Sequence, residues 1–505
     1  MRYARRCRAA LRPLVLALAV VGLTAVPGLS AGASASPAAP AAPAAPATPT
    51  TPTTPVTSAG WADAPVGFAA LDAAGQDGTT GGAGGATVTV HDLAELVRYA
   101  EAPEPYVIRV AGSIEVAPFG GMIRVASDKT IVGVGPDAEL VGGGLFLDQV
   151  ANVVVRNLTF RDSYVPGDWD GKSADNDNDA IRMDTAHHVW VDHCAFLRGG
   201  DGLVDVRRDS DYVTLSWNVF ADHNKTLGIG WTENVITKIT IHHNWFRNTY
   251  QRNPSIDNTD AAHLFNNYFE NFGQYGTMSR GAAEVVAEHN YYATGQDPLV
   301  VKDPTAELVS RGNLLRDTWG RADAAGDAFD PAAYYRYAAD PARAVPGLVE
   351  RHAGPAGYAP DPVARTVTVS LDGTGDFASV RAALGAVAAD PGRPVEIVVA
   401  PGVYREVVHV WPAASGVTVR GATGDPADVV LTYDFGVDQE KFYGGPNGVA
   451  GSATLSVLAD GVTLADLTVD NAYPGEGPAV ALSATGRDLD LDDVVLHGDH
   501  VTDAA

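Results

Sequence analysis

Apolar and polar positions along this chain fall into a repeat. Six octets stack on one another: VVVRNLTF (153–160), VWVDHCAF (189–196), VTLSWNVF (213–220), ITIHHNWF (239–246), AHLFNNYF (262–269) and VVAEHNYY (285–292). They end on Phe160, Phe196, Phe220, Phe246, Phe269 and Tyr292, and after one longer step the spacing is 24, 26, 23 and 23 residues. The first three residues of most octets alternate in and out, as a short strand does. The sixth position is Asn218, Asn244, Asn267 and Asn290 in consecutive repeats. One short strand per roughly 23 residues, with no helical period between, predicts the coils of a parallel β-helix; propeller blades need about 40 residues or more. Stacking would align the Asn amides, which can then bond along the stack and to turn backbone otherwise buried without partners.

The flanks of this repeat have different compositions. Residues 1–35 predict a secretory signal peptide, with Arg2, Arg5, Arg6, Arg8 and Arg12 as a basic start, Leu14 to Val26 apolar, and cleavage after Ala33 or Ala35. The apolar run is too short to span a bilayer, which needs about 20 residues, so a secreted protein with no membrane partner is expected. Residues 36–58 form a Pro/Ala/Thr-rich linker, extended in character. A globular domain is assigned to 59–357, a Gly/Pro-containing linker to 358–364, and a further segment to 365–505. Removal of the signal leaves Cys194 alone, so no intramolecular disulfide can form. The net charge of −26 excludes nucleic acid as a partner, because no basic tract exists. It does not exclude a polyanionic sugar, which a local basic cleft can bind.

The acidic residues carry the first candidate chemistry. Asp175-Asn-Asp177-Asn-Asp179 fails as an EF-hand, with Ala180 where Gly is required and Ala186 where Glu is required. Asp177 and Asp179 are two apart, hence on one face of a strand, and Asp201 and Asp205 share parity one coil later. Carboxylates converging from neighbouring coils repel by about 4 kcal/mol per pair at ~4 Å and an effective dielectric near 20. A hard cation with oxygen ligands reverses that sign, and calcium tolerates irregular geometry best. The histidines His193, His242, His243 and His289 recur at octet positions four and five, so they read as parts of the repeat rather than zinc ligands.

From about Gly67 to Gly357 the chain resembles the pectate lyases of the parallel β-helix superfamily. The resemblance rests on DNDAIRMD (177–184), WVDH (190–193), DGLVD (201–205), DHNKTLGIG (222–230), QRNP (251–254) and HLFNNYF (263–269), in family order and at family-like spacing. It implies calcium (Ca2+) on Asp177, Asp179, Asp201 and Asp205, Lys225 paired with a substrate carboxylate, and Arg252 as the Brønsted base. Many relatives carry a second arginine five residues after the base; here that place is Asp257, and substrate contact is expected instead from Arg207, Arg208 or Arg280. The implied activity is β-elimination on de-esterified homogalacturonan, by a monomer acting on polygalacturonate. Bringing an arginine from ~12.5 to ~9 costs roughly 5 kcal/mol, so such an enzyme favours alkaline pH. The alternative is a non-catalytic calcium-binding β-helix that binds pectin or cell surfaces, from which Lys225 and Arg252 together discriminate.

From Arg365 the chain resembles the start of a pectin methylesterase, on DGTGDF (372–377), GVYREVV (402–408), VTLADLTV (462–469) and LDLDDVVL (489–496). Pro478 stands where that family has its oxyanion-hole Gln, and Val501 where it has a catalytic Asp; further catalytic residues would lie past residue 505. No esterase activity is therefore expected, and removing the residues after Gly357 is expected to leave lyase turnover nearly unchanged. The fold class that follows is all-β: a right-handed parallel β-helix, then a second, partial one.

Overall fold

The computed structural model describes residues 62–173, 176–392 and 394–502. The signal-peptide and linker assignments at 1–35 and 36–58 lie outside them, as does Asp175. Successive coils pair side by side in parallel, and two sheets run the length of the first β-helix. One has seventeen strands and takes two short strands from most coils, both supplied by the octets; the other has eight and takes one. The octets lie in register, so that Val155, Val191, Leu215, Ile241, Leu264 and Ala287 form one inward row.

Inside, the octet ends make a continuous aromatic stack. Ring centroids are 5.1 Å apart for Phe160–Phe196, 5.2 Å for Phe196–Phe220 and 4.9 Å for Phe220–Phe246. The stack continues through Phe246–Phe269 at 4.7 Å and Phe269–Tyr292 at 4.4 Å, near the spacing between neighbouring strands. At the adjacent turn the asparagine ladder is present. Asn218 donates to Asn244 Oδ1 (3.0 Å), Asn244 to Asn267 (3.0 Å), Asn267 to Asn290 (2.9 Å) and Asn290 to Asn313 (3.0 Å). Each Oδ1 also accepts a turn N–H of the preceding coil, as in Cys194 N to Asn218 at 2.9 Å. Asn313 extends the ladder one rung beyond the run seen in the sequence.

The outward row of the octets is buried as well, unlike that of a half-solvated strand. Trp190, Thr214, Thr240 and His263 stand in register, and the segment entering the helix covers them. Phe68 N donates to Thr240 Oγ1 (3.0 Å), and Ala69 N donates to Thr214 Oγ1 (3.2 Å). Tyr335 returns over the same face and bonds both Thr240 and His263 at 2.7 Å. The histidines belong to this covered face: His243 stacks on Trp217 at 4.3 Å and pairs with Asp340 at 3.2 Å, while His242 stacks on Phe265 at 4.8 Å. Helix Leu93–Ala100, capped by Asp92, buries Leu96 and Ala100 against the first coils. Cys194 is fully buried, which pushes its thiol up to about 12.

The second segment is again parallel. Strands Thr366–Val369, Glu396–Val399, Thr418–Gly421 and Thr463–Asn471 pair in one sheet, and Val408–Val410, Leu455–Val457, Val480–Ala484 and Asp499–Thr502 in another. The segment has its own Val/Leu core, with helix Val380–Ala389 capped by Ser379 packed on it. This core adjoins the first β-helix through two mixed clusters. Trp169 and Tyr250 pack with Val407 and Tyr433 in one group, and Tyr275 and Met278 with Tyr443 in another. Arg381 is buried between the two parts, donating to Asn248 O at 2.8 Å with its guanidinium 4.8 Å from the Trp169 ring.

Candidate active site

The eight-stranded sheet carries every residue singled out for chemistry, at or beside the strands Ile181–Asp184, Gly202–Arg207, Lys225–Gly230, Ser255–Asp257 and Thr277–Arg280. These strands align Arg182 with Asp205 and Gly228, and Asp257 with Arg280. Asp179 and Asp201 occupy the turns leading into their strands.

Oxygens of Asp177, Asp179 and Asp201 lie within 4.8 Å of one another. Asp179 is fully buried; its Oδ1 accepts from Gly202 N at 2.7 Å, and its Oδ2 is buried with no hydrogen-bond partner among the described residues. Asp205 stands beside this trio, its Oδ1 accepting from Gly228 N at 3.1 Å. Gly202 is what lets the two coils converge, because a Cβ there would lie 2.7 Å from Asp179 Oδ1 and 2.8 Å from Asp205 Oδ1. Burial, then the charges of Asp205 and Asp201, hold the Asp179 carboxyl well above its usual value. Burial raises Asp205 too, against the opposing pull of Arg252. An orphaned, buried carboxylate oxygen among other carboxylates is a costly arrangement without a cation. An all-oxygen donor set of this kind suits a hard divalent ion.

Basic groups ring the acidic ones. Lys225 is buried, with Nζ against Asp201 Oδ1 and 3.3 Å from Gly171 O. Arg252, in a left-handed turn (φ 59°), lies 5.1 Å from the centroid of the Trp231 ring, and among the described residues its guanidinium forms no ion pair. Arg280 lies over the same ring at 4.8 Å and pairs with Asp257 at 3.1 Å. The acidic residue that replaces the family's second arginine thus holds an arginine from the next coil beside Arg252. Arg207 and Arg208 both pair with Asp184, Arg207 at 2.9 Å and Arg208 at 3.3 Å, and Arg207 also reaches Asp177 at 3.5 Å.

Three contributors escape a reading of the sequence. Arg182, inside the DNDAIRMD motif, pairs with Asp177 and lies 4.2 Å over Phe146. Trp231, directly after the DHNKTLGIG motif, floors both arginines. His223 bonds Asp201 O through Nε2 at 2.8 Å, and burial pushes its imidazole down to about 3, so it acts as a neutral tether.

A parallel β-helix whose sheet face holds clustered carboxylates, a lysine and free arginine edges has the makings of a polyuronide-cleaving enzyme. The family description "Pectate lyase" matches residues 50–354, and the chain belongs to that family; it is a polysaccharide lyase. A second description, "Pectinesterase", matches residues 366–496. The chain is 37% identical over 342 residues to a pectate trisaccharide-lyase of Thermotoga sp. (strain RQ2), covering 58% of this chain and 89% of that one. It is 32% identical over 307 residues to a pectate trisaccharide-lyase of Bacillus licheniformis, covering 57% and 85%. A crystal structure of a Bacillus sp. N165 pectate lyase in complex with trigalacturonate covers 58% of this chain and 98% of that one, at 28% identity and a TM-score of 0.48.

Proposed function

We propose that the protein is a secreted, calcium-dependent lyase that cleaves de-esterified homogalacturonan by β-elimination. The observation that carries the proposal is the unpartnered buried oxygen of Asp179 inside a carboxylate cluster that faces Lys225 and Arg252. Asp177, Asp179, Asp201 and Asp205 would hold calcium, which when bound supplies positive charge to the substrate's uronate group. Lys225 supplies a second positive charge to that carboxylate and makes the adjacent C5 proton easier to remove. Arg252 takes that proton after deprotonation, with Trp231 fixing the plane of its guanidinium and Arg280 adding positive charge next to it. Expulsion of the C4 oxygen then leaves an unsaturated uronide. The relatives named as pectate trisaccharide-lyases support the substrate class.

Polygalacturonate with calcium should yield ultraviolet-absorbing unsaturated product, and excess chelator should stop this reversibly. Undiminished turnover in chelator would sink the metal assignment. Secretion rests on the pattern of residues 1–35, and an exported protein should begin just after Ala33 or Ala35. We also propose that the second segment is not an esterase, on Pro478 and Val501 at the catalytic places. Methanol released from methylated pectin by the purified protein would overturn that.

A further inference from the structure

We infer that the esterase-like segment is a working part of the lyase site, because it clamps the loop that positions Lys225. Three successive residues make the link. Trp169 packs against Tyr250 (centroids 5.4 Å apart) and beneath Arg381, and its carbonyl accepts from Asn224, the neighbour of Lys225, at 2.7 Å. Asp170 is held wholly by the second segment: Tyr433 OH donates to Oδ1 at 2.8 Å, and Arg405 Nη1 donates to Oδ2 at 2.9 Å. Arg405 is itself set in place, 4.5 Å over the Tyr433 ring and 3.0 Å from Asp434. Gly171 then turns its carbonyl to Lys225 Nζ at 3.3 Å. A Cβ on Gly171 would lie 2.6 Å from Asp201 Oδ1 and 3.0 Å from Lys225 Nζ, so this backbone runs directly against the charged pair.

The consequence is geometric. Lys225 Nζ has two partners here, Asp201 in the short turn before Gly202 and the Gly171 carbonyl on the longer loop that carries Trp169 and Asp170. That loop is anchored at its middle residue by two donors from more than 230 positions away in the sequence, 405 and 433 against 170. Charge-assisted bonds of this kind are among the stronger ones a surface loop can have. Arg405 and Tyr433 are therefore positioning residues for the lyase reaction, whatever the segment's ancestry as an esterase. On this inference the residues after Gly357 are needed for full turnover, contrary to the expectation from the sequence.

This inference rests on the assignment of Lys225 to the substrate carboxylate, and the test separates the two. In the full-length chain, Tyr433→Phe, Arg405→Ala and Asp170→Asn are each assayed for initial rates on polygalacturonate with saturating calcium, alone and combined with Lys225→Ala. Melting curves verify folding, and Tyr433→Phe removes only one hydroxyl, so it supplies a folded variant should the others unfold. Asp170→Asn should raise KM about five- to twentyfold with a smaller fall in kcat, Arg405→Lys should recover part of the loss, and on the Lys225→Ala background the clamp substitutions should add little. Arg420→Ala, which breaks a 2.6 Å pair with Glu396 inside the second segment, should change neither constant. Folded clamp variants with wild-type constants, or effects fully additive with Lys225→Ala, would overturn the inference. Wild-type behaviour of Lys225→Ala alone would instead overturn the Lys225 assignment.

Discussion

Withdrawing the cation from the Asp177, Asp179 and Asp201 cluster should destabilise the protein by an amount that depends on pH. Asp179 has a raised carboxyl value in the folded chain, caused first by burial and then by Asp205 and Asp201. The folded chain therefore holds this proton more tightly than the unfolded chain does. Without a cation, the site is least costly below the ordinary carboxylate value of ~3.9, and stability falls as pH climbs towards the raised folded value. The oxygens lie within 4.8 Å of one another. Two full charges at that distance repel by about 3.5 kcal/mol at an effective dielectric near 20. Asp179→Asn removes the charge and keeps an acceptor for Gly202 N. In chelator near pH ~8 this variant should be more stable than wild type by about 3 kcal/mol, and the gap should close towards pH ~4. Calcium at about one hundred times its Kd should stabilise wild type by about 2.7 kcal/mol and the variant by much less. Denaturant unfolding followed by tryptophan fluorescence, across pH and with chelator or calcium, measures all of this. Equal stability of the two proteins in chelator at every pH would refute the reasoning from repulsion.

Asn267→Ala deletes bonds to Ile241 O (2.8 Å) and Asn290 (2.9 Å) and the acceptor for Asn244 N (3.0 Å). It should cost about 3–5 kcal/mol in denaturant unfolding, whereas Asn313→Ala at the partly exposed end of the ladder should cost about 1–2; equal costs would mean the ladder is not cooperative. Arg252→Lys should lose several powers of ten in turnover with only a modest loss of pectate binding, since lysine keeps the charge but not the planar fork. Wild-type elimination rates in that variant would leave the site without its base. Truncation after Gly357 should lower both melting temperature and lyase turnover, because it uncovers Trp169, Tyr250 and Tyr275; a truncated protein as active and stable as the full chain would contradict this.

What could be read from the sequence was whatever repeats or depends on parity. The aromatic and asparagine positions recur because each coil presents the same turn to the next, so spacing alone displays the stack. Asp177 and Asp179 share a parity that the sequence shows, as do Asp201 and Asp205, but Asp177, Asp179 and Asp201 precede their strands, and Asp179 is buried where Asp177 is exposed. Contacts between residues far apart in the sequence leave no such mark. Nothing periodic announces that Phe68 and Tyr335 cover the outward row, or that Arg405 and Tyr433 hold Asp170. The Asp257–Arg280 pair lies between these cases, since the sequence shows the missing arginine, but only strand register shows which coil supplies the replacement. Arg207 and Arg208 share Asp184 as a partner and Arg280 has Asp257, pairings that no spacing in the sequence displays.

The ladder has a consequence for how such a molecule can change over generations. Its turns never vary in length: residues 193–194, 217–218, 243–244, 266–267, 289–290 and 312–313 are always a pair between strands. An inserted residue there would break the amide chain and shift every rung. The two other borders do vary: connections leaving the octets run from residue 142 alone to 162–180, and those returning to them run from 149–150 to 231–237; lengthening a loop of that kind costs only about 0.6 kcal/mol per doubling. Drift is thus confined to those two borders, and one of them carries Asp170, Gly171 and Asp201. The coil column tolerates new chemistry along two seams because the third tolerates no insertion.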